Sequence, residues 1–247
     1  MSDTSMHYLD ATLATAAENV ALDEALLVEA EERGGPPILR IWELGHNAVI
    51  LGASCRLAEN VRSEACRADG VEVARRSSGG GTVVVGPGAL NVSVILPIRS
   101  HPELRGVETA QRHVLSRFLE AIRASGPTDA EMQGSGDLTL HGRKFSGSAQ
   151  RRLRDHVLIH ASMLYNFPLD LIARYTALPQ RRPDYRGERR HDDFVTNLSM
   201  SRDSLREICR VAWLPPGPGI ETAEIPREGL NRLLETKFSK SGWIERL

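Results

Sequence analysis

Cysteine is scarce in this sequence, and its spacing carries no pattern. Among 247 residues only Cys55, Cys66 and Cys209 are cysteines. An odd number leaves one thiol unpaired in any disulfide scheme, and the intervals match no metal-ligand spacing. We therefore expect a protein of the reducing cytoplasm.

The sequence also lacks an excess of charge of one sign, and it lacks long apolar runs. The formal net charge is −1, so no overall field favours nucleic acid or an anionic membrane. No stretch approaches the ~18 apolar residues that a membrane-spanning helix needs. The N-terminus, MSDTSMHYLD, lacks the basic and apolar regions of a signal peptide. We expect neither nucleic acid nor a membrane among the partners.

The pattern that remains is that of one globular domain. Apolar periodicity predicts helices over 18–33, 56–68, 108–125, 202–213 and 226–237. Strand-like runs lie beside each other without a regular β-α-β rhythm, as in 38–43 and 48–52. This favours the α+β class, with mixed, largely antiparallel sheets flanked by helices. We predict a single domain over 1–247, in which about 200–247 form a helical C-terminal appendage.

A cluster of glycines interrupts the strands in the segment RRSSGGGTVVVGPGALNVSVILP, residues 75–97. Consecutive glycine amides can form a concave row of donors that holds a phosphate or a carboxylate. Arg75 and Arg76 could add guanidinium forks to the same anion, and Ser78 a hydroxyl. The alternative is a tight connection in a twisted sheet with solvated arginines. Neither a Walker loop nor a dinucleotide fingerprint is present.

A lysine strand is the second candidate, in GRKFSGSAQR, residues 142–151. Strand alternation predicts that Lys144, Ser146 and Ser148 share one face, opposite Arg143, Phe145 and Gly147. An ammonium on an inner face is costly unless an anionic ligand pairs with it. An edge strand with Lys144 in water is the equal alternative. Together the two motifs supply what an acyl-adenylate site needs: amide donors, a guanidinium, an ammonium and small residues beside an alkyl chain.

In order along the chain, these motifs resemble the lipoate–protein ligase family, which belongs with the biotin ligases and octanoyltransferases. The segments RRSSGGGTV, GALNVSVI, GDLTLHGRKFSGSAQRR, HASMLYN and FVTNL carry the resemblance. It implies an α+β fold with the acyl chain in a central tunnel. It implies that Lys144 is the catalytic lysine, holding the acyl carbonyl and phosphate. The implied acyl- and adenylate-binding residues are Arg75, Arg76, Ser78, Gly79, Gly80, Gly81, Thr82, Asn91, Asp137, Ser146, Gly147, Ser148, Ala149, Arg151, His160 and Asn197.

The resemblance also implies cofactors and partners. A ligase activates lipoate or octanoate with ATP and Mg²⁺, and Asp137 falls near the magnesium site. The acyl group passes to a lysine of a carrier domain, either of a dehydrogenase-complex E2 or of a glycine-cleavage H-type protein. Octanoyltransferases instead form a cysteine thioester, and the segment PTDAEMQGSGD before the lysine strand holds no cysteine. The resemblance therefore favours a ligase; a transferase that uses a preformed donor and a non-catalytic carrier-binding relative stay open.

Three departures from the family accompany this interpretation. Val85-Gly86 stand where relatives have His-Asp. The arginine-rich stretch 181–191 replaces an adenylate-covering loop, and we interpret it as a solvated surface loop rather than a contact with phosphates or an acidic carrier. The chain has no room for the full accessory C-terminal domain of longer ligases, so a ligase of this size would need a separate accessory subunit or would perform only the transfer half of the reaction.

Overall fold

The computed structural model describes residues 5–177, 183–217 and 219–247. Within these residues the chain forms ten strands. They are β1 His7–Asp10, β2 Ile38–Trp42, β3 Ala48–Leu51, β4 Glu72–Arg75, β5 Val83–Val85, β6 Ala89–Pro97, β7 Ala130–Gln133, β8 Asp137–Leu140, β9 Arg143–Arg152 and β10 His156–Leu164.

Nine α-helices complete the described part of the chain. They are α1 Ala16–Arg33, α2 Leu57–Asn60, α3 Ser63–Ala68, α4 Val107–Ala124, α5 Asp170–Tyr175, α6 His191–Phe194, α7 Arg202–Val211, α8 Arg227–Leu233 and α9 Ser241–Ile244. The helix predicted over 56–68 is split in two at Val61, which pairs with Thr176 in an isolated bridge. No helix of the described residues is both long enough and apolar enough to cross a membrane.

The strands form two sheets. The large sheet has the order β1-β2-β6-β10-β9-β8-β7 and is antiparallel apart from the β1–β2 pair. The small sheet has the order β4-β3-β5, in which β3 runs parallel to β4 and antiparallel to β5. The predicted α+β class with mixed, largely antiparallel sheets is confirmed.

Helix α1 packs between the two sheets. It begins with a capping box, in which Thr15 and Glu18 each bind the other's backbone amide, and it ends at Gly34, whose φ of 63° suits glycine. Its apolar side chains, with Leu22 and Leu26 fully buried, belong to one core cluster, and the helix contacts β6 and β10 of the large sheet and β3 and β4 of the small one. A helix buried on this scale fixes the distance between the sheets.

The other face of the large sheet is covered by α4 and α7. Val114, Leu115 and Phe118 of α4 lie in one core cluster with Leu205 and Ile208 of α7. The stripe along α4 is the one that its sequence periodicity predicts. On the α1 side, Leu230 of α8 and Phe238 beyond it join the second cluster. Residues of the C-terminal segment, about 200–247, thus pack on both faces of the large sheet, with α7 on one face and α8 on the other.

Candidate active site

A cavity of about 120 Å³ lies where the two sheets face each other. The large sheet contributes Trp42, Asn91, Gly147, Ala149 and His160, and the small sheet and its glycine loop contribute Ile50, Arg76, Gly81, Thr82 and Val83. Lys144 lies in the wall of the same cavity. Both sequence motifs, separated by more than sixty residues along the chain, therefore meet at one cavity.

Arg76 organises the glycine loop from within. Its Nη2 donates to the carbonyls of Gly79 and Gly81 at 2.7 and 2.8 Å, and its Nε donates to Ser78 Oγ at 2.9 Å. These partners are neutral, and burial lowers the pKa of Arg76 to about 10. A buried guanidinium that faces a cavity and bonds only neutral oxygens favours an anion beside it.

The glycine loop packs closely against Arg76 on one side and Gly52 on the other. Gly80 has a φ of 82°, and a Cβ on it would lie 3.1 Å from Arg76 Nη2. On the other side, a Cβ on Gly52 would lie 2.0 Å from the Gly80 carbonyl oxygen. Gly81 opens onto the cavity. Gly52 therefore serves a close approach to the loop backbone, and Gly80 serves a left-handed backbone conformation against Arg76.

A buried polar chain runs from the glycine loop to α1. Ser78 Oγ and His160 Nε2 are 2.6 Å apart, and His160 Nδ1 lies 3.3 Å from Asp23 Oδ2. Asp23 also forms an ion pair with Arg40 at 2.6 Å. Burial alone would raise the pKa of the Asp23 carboxyl, but the charge of Arg40 and the bond from His160 outweigh it and lower that pKa. An ionised carboxylate thus orients the imidazole in the cavity wall.

Lys144 pairs with a carboxylate, and that carboxylate in turn accepts a hydrogen bond from a tyrosine. Its Nζ lies 2.7 Å from Asp137 Oδ1, and Tyr185 donates its hydroxyl to Asp137 Oδ2 at 2.6 Å. The lysine lies over Gly147, where a Cβ would come 2.7 Å from Nζ. Neither alternative for this strand is observed as stated, because Lys144 lies in the cavity wall and its partner is a carboxylate of the chain itself.

The face predicted for the lysine strand is wrong in part. The register between β8 and β9 shifts at Leu138/Thr139, a bulge that brings Lys144 to the side of Gly147 and Ala149. Ser148 still borders the cavity, but its Oγ accepts from Gln111 of α4 and donates to the Gly136 carbonyl. Ser146 is paired with Met163 and buried, with no hydrogen-bond partner for its Oγ among the described residues.

Some of the predicted binding residues do not line the cavity and have contacts elsewhere, among them Arg75, Asn197 and Arg151. Arg75 donates to the carbonyls of Gly52, Cys55 and Ile244 and so anchors the C-terminal segment. Asn197 bonds the backbone of Phe167 on both its amide and its carbonyl. Arg151 is exposed at the far end of β9. Both Arg75 and Asn197 therefore bind backbone groups of the fold and serve a structural role.

The departure at 85–86 has a packing explanation. Val85 is fully buried among Ala48, Ile50 and the apolar face of α1. A Cβ on Gly86 would lie 2.4 Å from Asn47 Oδ1. Neither residue lines the cavity: Val85 packs in the core, and Gly86 lies against Asn47.

The interpretation of 181–191 as a solvated loop is wrong for Arg186 and Arg189, whereas the other charged residues described in 183–190 are exposed and 181–182 lie outside the described residues. Arg186 is 4% exposed, and its guanidinium stacks on the Phe194 ring with 4.6 Å to the centroid. Arg189 donates to the Gly142 carbonyl at 2.8 Å. The segment is therefore fastened to the turn of the β8–β9 hairpin, next to Lys144.

Two of the three cysteines lie in the core away from this chemistry, and the third, Cys55, contacts the glycine loop. Among the residues that the structure describes, no cysteine lines the cavity. Burial raises the pKa of Cys209 to about 12 and also raises that of Cys66. Cys55 is half-buried, and its thiol donates to the Gly80 carbonyl at 3.4 Å. Raised pKa values are the reverse of what a thiolate nucleophile needs.

A metal is not a good fit for Asp137 as it is placed. Magnesium favours one or two carboxylates together with waters and substrate phosphates. Both oxygens of Asp137 are already engaged, by Lys144 and Tyr185. In the described parts of the chain, no three His, Cys, Asp or Glu side chains gather as a metal site. The predicted magnesium role of Asp137 does not suit this arrangement.

Sequence reasoning missed the polar residues behind the cavity wall, Asp23, Arg40 and Tyr185. It also missed the lining residues Trp42, Ile50 and Val83. Arg40 had a visible signal, because it is the one charged residue in the apolar strand ILRIW. Asp23 shares its helix with several other acids, and nothing in the pattern singles it out. Tyr185 reaches Asp137 only through tertiary packing.

Comparison with known proteins identifies relatives of both mechanistic kinds. The family model described as the lipoyl protein ligase A/B catalytic domain matches residues 15–208. A protein of Aeropyrum pernix, provisionally named lipoate-protein ligase A, is 34% identical over 190 residues, 77% of this chain and 66% of that protein. The octanoyltransferase LipM of Carboxydothermus hydrogenoformans is 28% identical over 97% of this chain and 98% of its own length. The chain thus spans slightly less than two thirds of the first relative and nearly all of the second.

Solved structures share the fold. A bipartite lipoate protein ligase of Thermoplasma acidophilum, described together with its E2 lipoyl domain, superposes with a TM-score of 0.82 at 22% identity. The match covers 98% of this chain and 96% of that one. A lipoate-protein ligase A bound with ATP gives a TM-score of 0.81, also at 22% identity, over 98% and 99% of the two chains.

Proposed function

Because the chain belongs to the lipoyl protein ligase A/B catalytic domain family, we propose that it attaches a lipoyl or octanoyl group to a lysine of a carrier domain through an acyl-adenylate. The family comprises ligases and transferases of protein lipoylation. The observation that carries the proposal is the meeting of Lys144, Arg76 and the glycine loop at one cavity that no described cysteine lines.

The first step activates the free acid. Its carboxylate attacks the α-phosphorus of ATP, and pyrophosphate leaves with the electron pair of the broken P–O bond. Negative charge gathers on the oxygens between the glycine loop and Lys144. The ammonium of Lys144 and the guanidinium of Arg76 stabilise that charge, because fixed cations in a site of restricted water act strongly. Lys144 acts electrostatically and forms no covalent bond.

The second step transfers the acyl group. The neutral amine of the carrier lysine attacks the acyl carbon, the bond to AMP breaks, and the amine loses a proton to solvent. Lys144 again faces the oxygen on which charge develops. The small residues Gly147 and Ala149 leave room for the alkyl chain beside His160. Two buried donors in the wall, Trp42 Nε1 and Thr82 Oγ1, have no hydrogen-bond partner among the described residues, which suits an occupied cavity.

We propose lipoyl carrier domains as the protein partners. The Thermoplasma ligase is described with an E2 lipoyl domain, and a relative from Exiguobacterium sibiricum is named an octanoyl-[GcvH]:protein N-octanoyltransferase. The second candidate function is octanoyl transfer from a preformed donor without ATP. The near full-length match to LipM favours that candidate, and the raised pKa values of Cys66 and Cys209 weigh against it.

The decisive assay has two arms. In the first, the protein receives lipoate, ATP with magnesium and a lipoyl carrier domain; we expect AMP release and a lipoyl mass shift of the carrier. In the second, it receives an octanoyl carrier-protein thioester without ATP; we expect no transfer. Lys144→Ala should abolish the first reaction and leave the circular dichroism spectrum intact. Transfer in the second arm alone supports the transferase, and carrier binding without either reaction supports a non-catalytic relative.

A further inference from the structure

Three polar side chains from distant parts of the chain lie in a row beside the cavity. Tyr185 donates to Asp137 Oδ2 at 2.6 Å, and the opposite oxygen of the same carboxylate lies 2.7 Å from Lys144 Nζ. A carboxylate rotates freely about its side-chain bonds unless both oxygens are held. The phenol therefore determines the plane of the carboxylate, and the carboxylate determines where the ammonium lies.

The surroundings hold Tyr185 in place. Its ring packs on Phe194, with 5.4 Å between ring centroids, and it also covers Gly134, where a Cβ would lie 3.5 Å from Cε1. Arg189 donates both to the Tyr185 carbonyl and to the Gly142 carbonyl of the β8–β9 turn. The Thr196 amide donates to the Lys144 carbonyl at 2.9 Å. The segment with Tyr185 is thus attached to the lysine hairpin at both ends.

The end of Lys144 lies over Gly147, which has no side chain to hold it, so the ion pair with Asp137 fixes its position. Gly147 offers a flat surface below Nζ and Cε, at the cavity wall. Burial raises the pKa of the Tyr185 phenol, and the nearby Asp137 charge raises it further, so the hydroxyl remains a donor at neutral pH. The hydrogen bond to a charged acceptor is the stronger kind.

We propose that Tyr185 is a positioning residue of this site: through Asp137 it holds the Lys144 ammonium over Gly147, where it faces the reacting acyl group. The proposal rests on the proposed function for its consequence in catalysis. The positioning itself concerns the unliganded protein and is measured without any substrate.

Tyr185→Phe is the direct variant, because it keeps the ring on Phe194 and Gly134 and removes only the hydroxyl. Tyr165→Phe is the matched control: Tyr165 also donates to a carboxylate, Glu43, at 2.7 Å, away from the cavity. Reductive methylation of the full-length protein, mapped by peptide mass spectrometry, reports how accessible the Lys144 amine is. We expect methylation at Lys144 to be several-fold faster in Tyr185→Phe and unchanged in Tyr165→Phe.

A double-mutant cycle separates positioning from simple loss of structure. If Tyr185 acts through Asp137, then adding Tyr185→Phe to Asp137→Asn changes the Lys144 methylation rate no further. In the acyl-transfer assay, Tyr185→Phe should lower kcat about tenfold, the scale of one lost hydrogen bond to a charged group, with KM for the acid nearly unchanged. Equal methylation rates in Tyr185→Phe and wild type, or additive effects in the cycle, would overturn the proposal. If the methylation result holds while no acyl transfer is found, the failure lies with the proposed function.

Discussion

The carboxylate of Asp23 and the guanidinium of Arg40 form an ion pair at 2.6 Å that is almost completely shielded from solvent. The pair lies between α1 and β2, and its carboxylate orients His160 in the cavity wall. Arg40 is further bound by Asn19 Oδ1 and by the Asn19 carbonyl. A buried pair that is this fully hydrogen-bonded tolerates the loss of neither partner.

Asp23→Asn should therefore destabilise the fold by about 3–5 kcal/mol, because it leaves the Arg40 charge buried without a counterion. Urea unfolding followed by circular dichroism measures the change. Glu207→Gln, which breaks an exposed ion pair with Arg210, is the control and should change little. A small loss for Asp23→Asn, similar to that of Glu207→Gln, would show that the pair is not essential.

The same pair predicts a pH dependence. The folded-state pKa of Asp23 is lowered, so its contribution to stability is present above the unfolded pKa of about 3.9 and is lost as pH falls through the lower folded value. Wild type should lose stability below about pH 4 more steeply than Asp23→Asn. Unfolding midpoints measured across this range test the sign, and parallel curves for the two proteins would contradict it.

Gly147→Ala tests the platform under the lysine. The new Cβ would lie 2.7 Å from Lys144 Nζ and 2.8 Å from Cε, so the flexible end of the lysine must move. Because only a side-chain tip is displaced, the free energy of unfolding should stay within about 1 kcal/mol of the wild-type value. The rate of acyl transfer, in contrast, should fall about a hundredfold. Gly45→Ala, which meets nothing within 4 Å, is the control. Full activity in Gly147→Ala would mean that the observed lysine position is not the one used.

Arg75→Ala distinguishes an anchor from a ligand-binding residue. Arg75 bonds the Ile244 carbonyl, and Trp243 Nε1 returns a bond to the Arg75 carbonyl at 2.8 Å. We expect faster amide hydrogen exchange across 241–246 in this variant, with lipoate affinity close to that of wild type. Arg76→Ala should do the opposite, weakening lipoate binding and leaving that exchange unchanged. Loss of lipoate binding in Arg75→Ala would restore its predicted place in the site.

Sequence periodicity and motif chemistry predicted those features that depend on residues close together in the sequence. The stripe Val114, Leu115 and Phe118 made α4 visible, and the glycine cluster and Lys144 identified the cavity before its walls were known. The family resemblance then predicted roles that spacing alone left open, and those roles stay predictions.

The rest depended on tertiary contacts. A one-residue bulge at Leu138/Thr139 reversed the faces assigned to Ser146 and Ser148, and no local pattern signals such a shift. Arg75 and Arg76 are neighbours on the chain but point to opposite sides of the strand, one to the C-terminal segment and one to the cavity. The arginines after 182 were interpreted as solvated, yet Phe194 gives Arg186 and Arg189 an aromatic surface.

The central claim is that the acyl group passes through the Lys144 site without a cysteine. The most direct measurement is the intact mass of a lipoyl carrier domain after incubation with lipoate, ATP and the variant Cys55→Ser/Cys66→Ala/Cys209→Ala. Our account predicts that this folded, cysteine-free protein still lipoylates the carrier and releases AMP at a rate close to that of wild type. An unmodified carrier, with modification restored when Cys55 alone is returned, would contradict it.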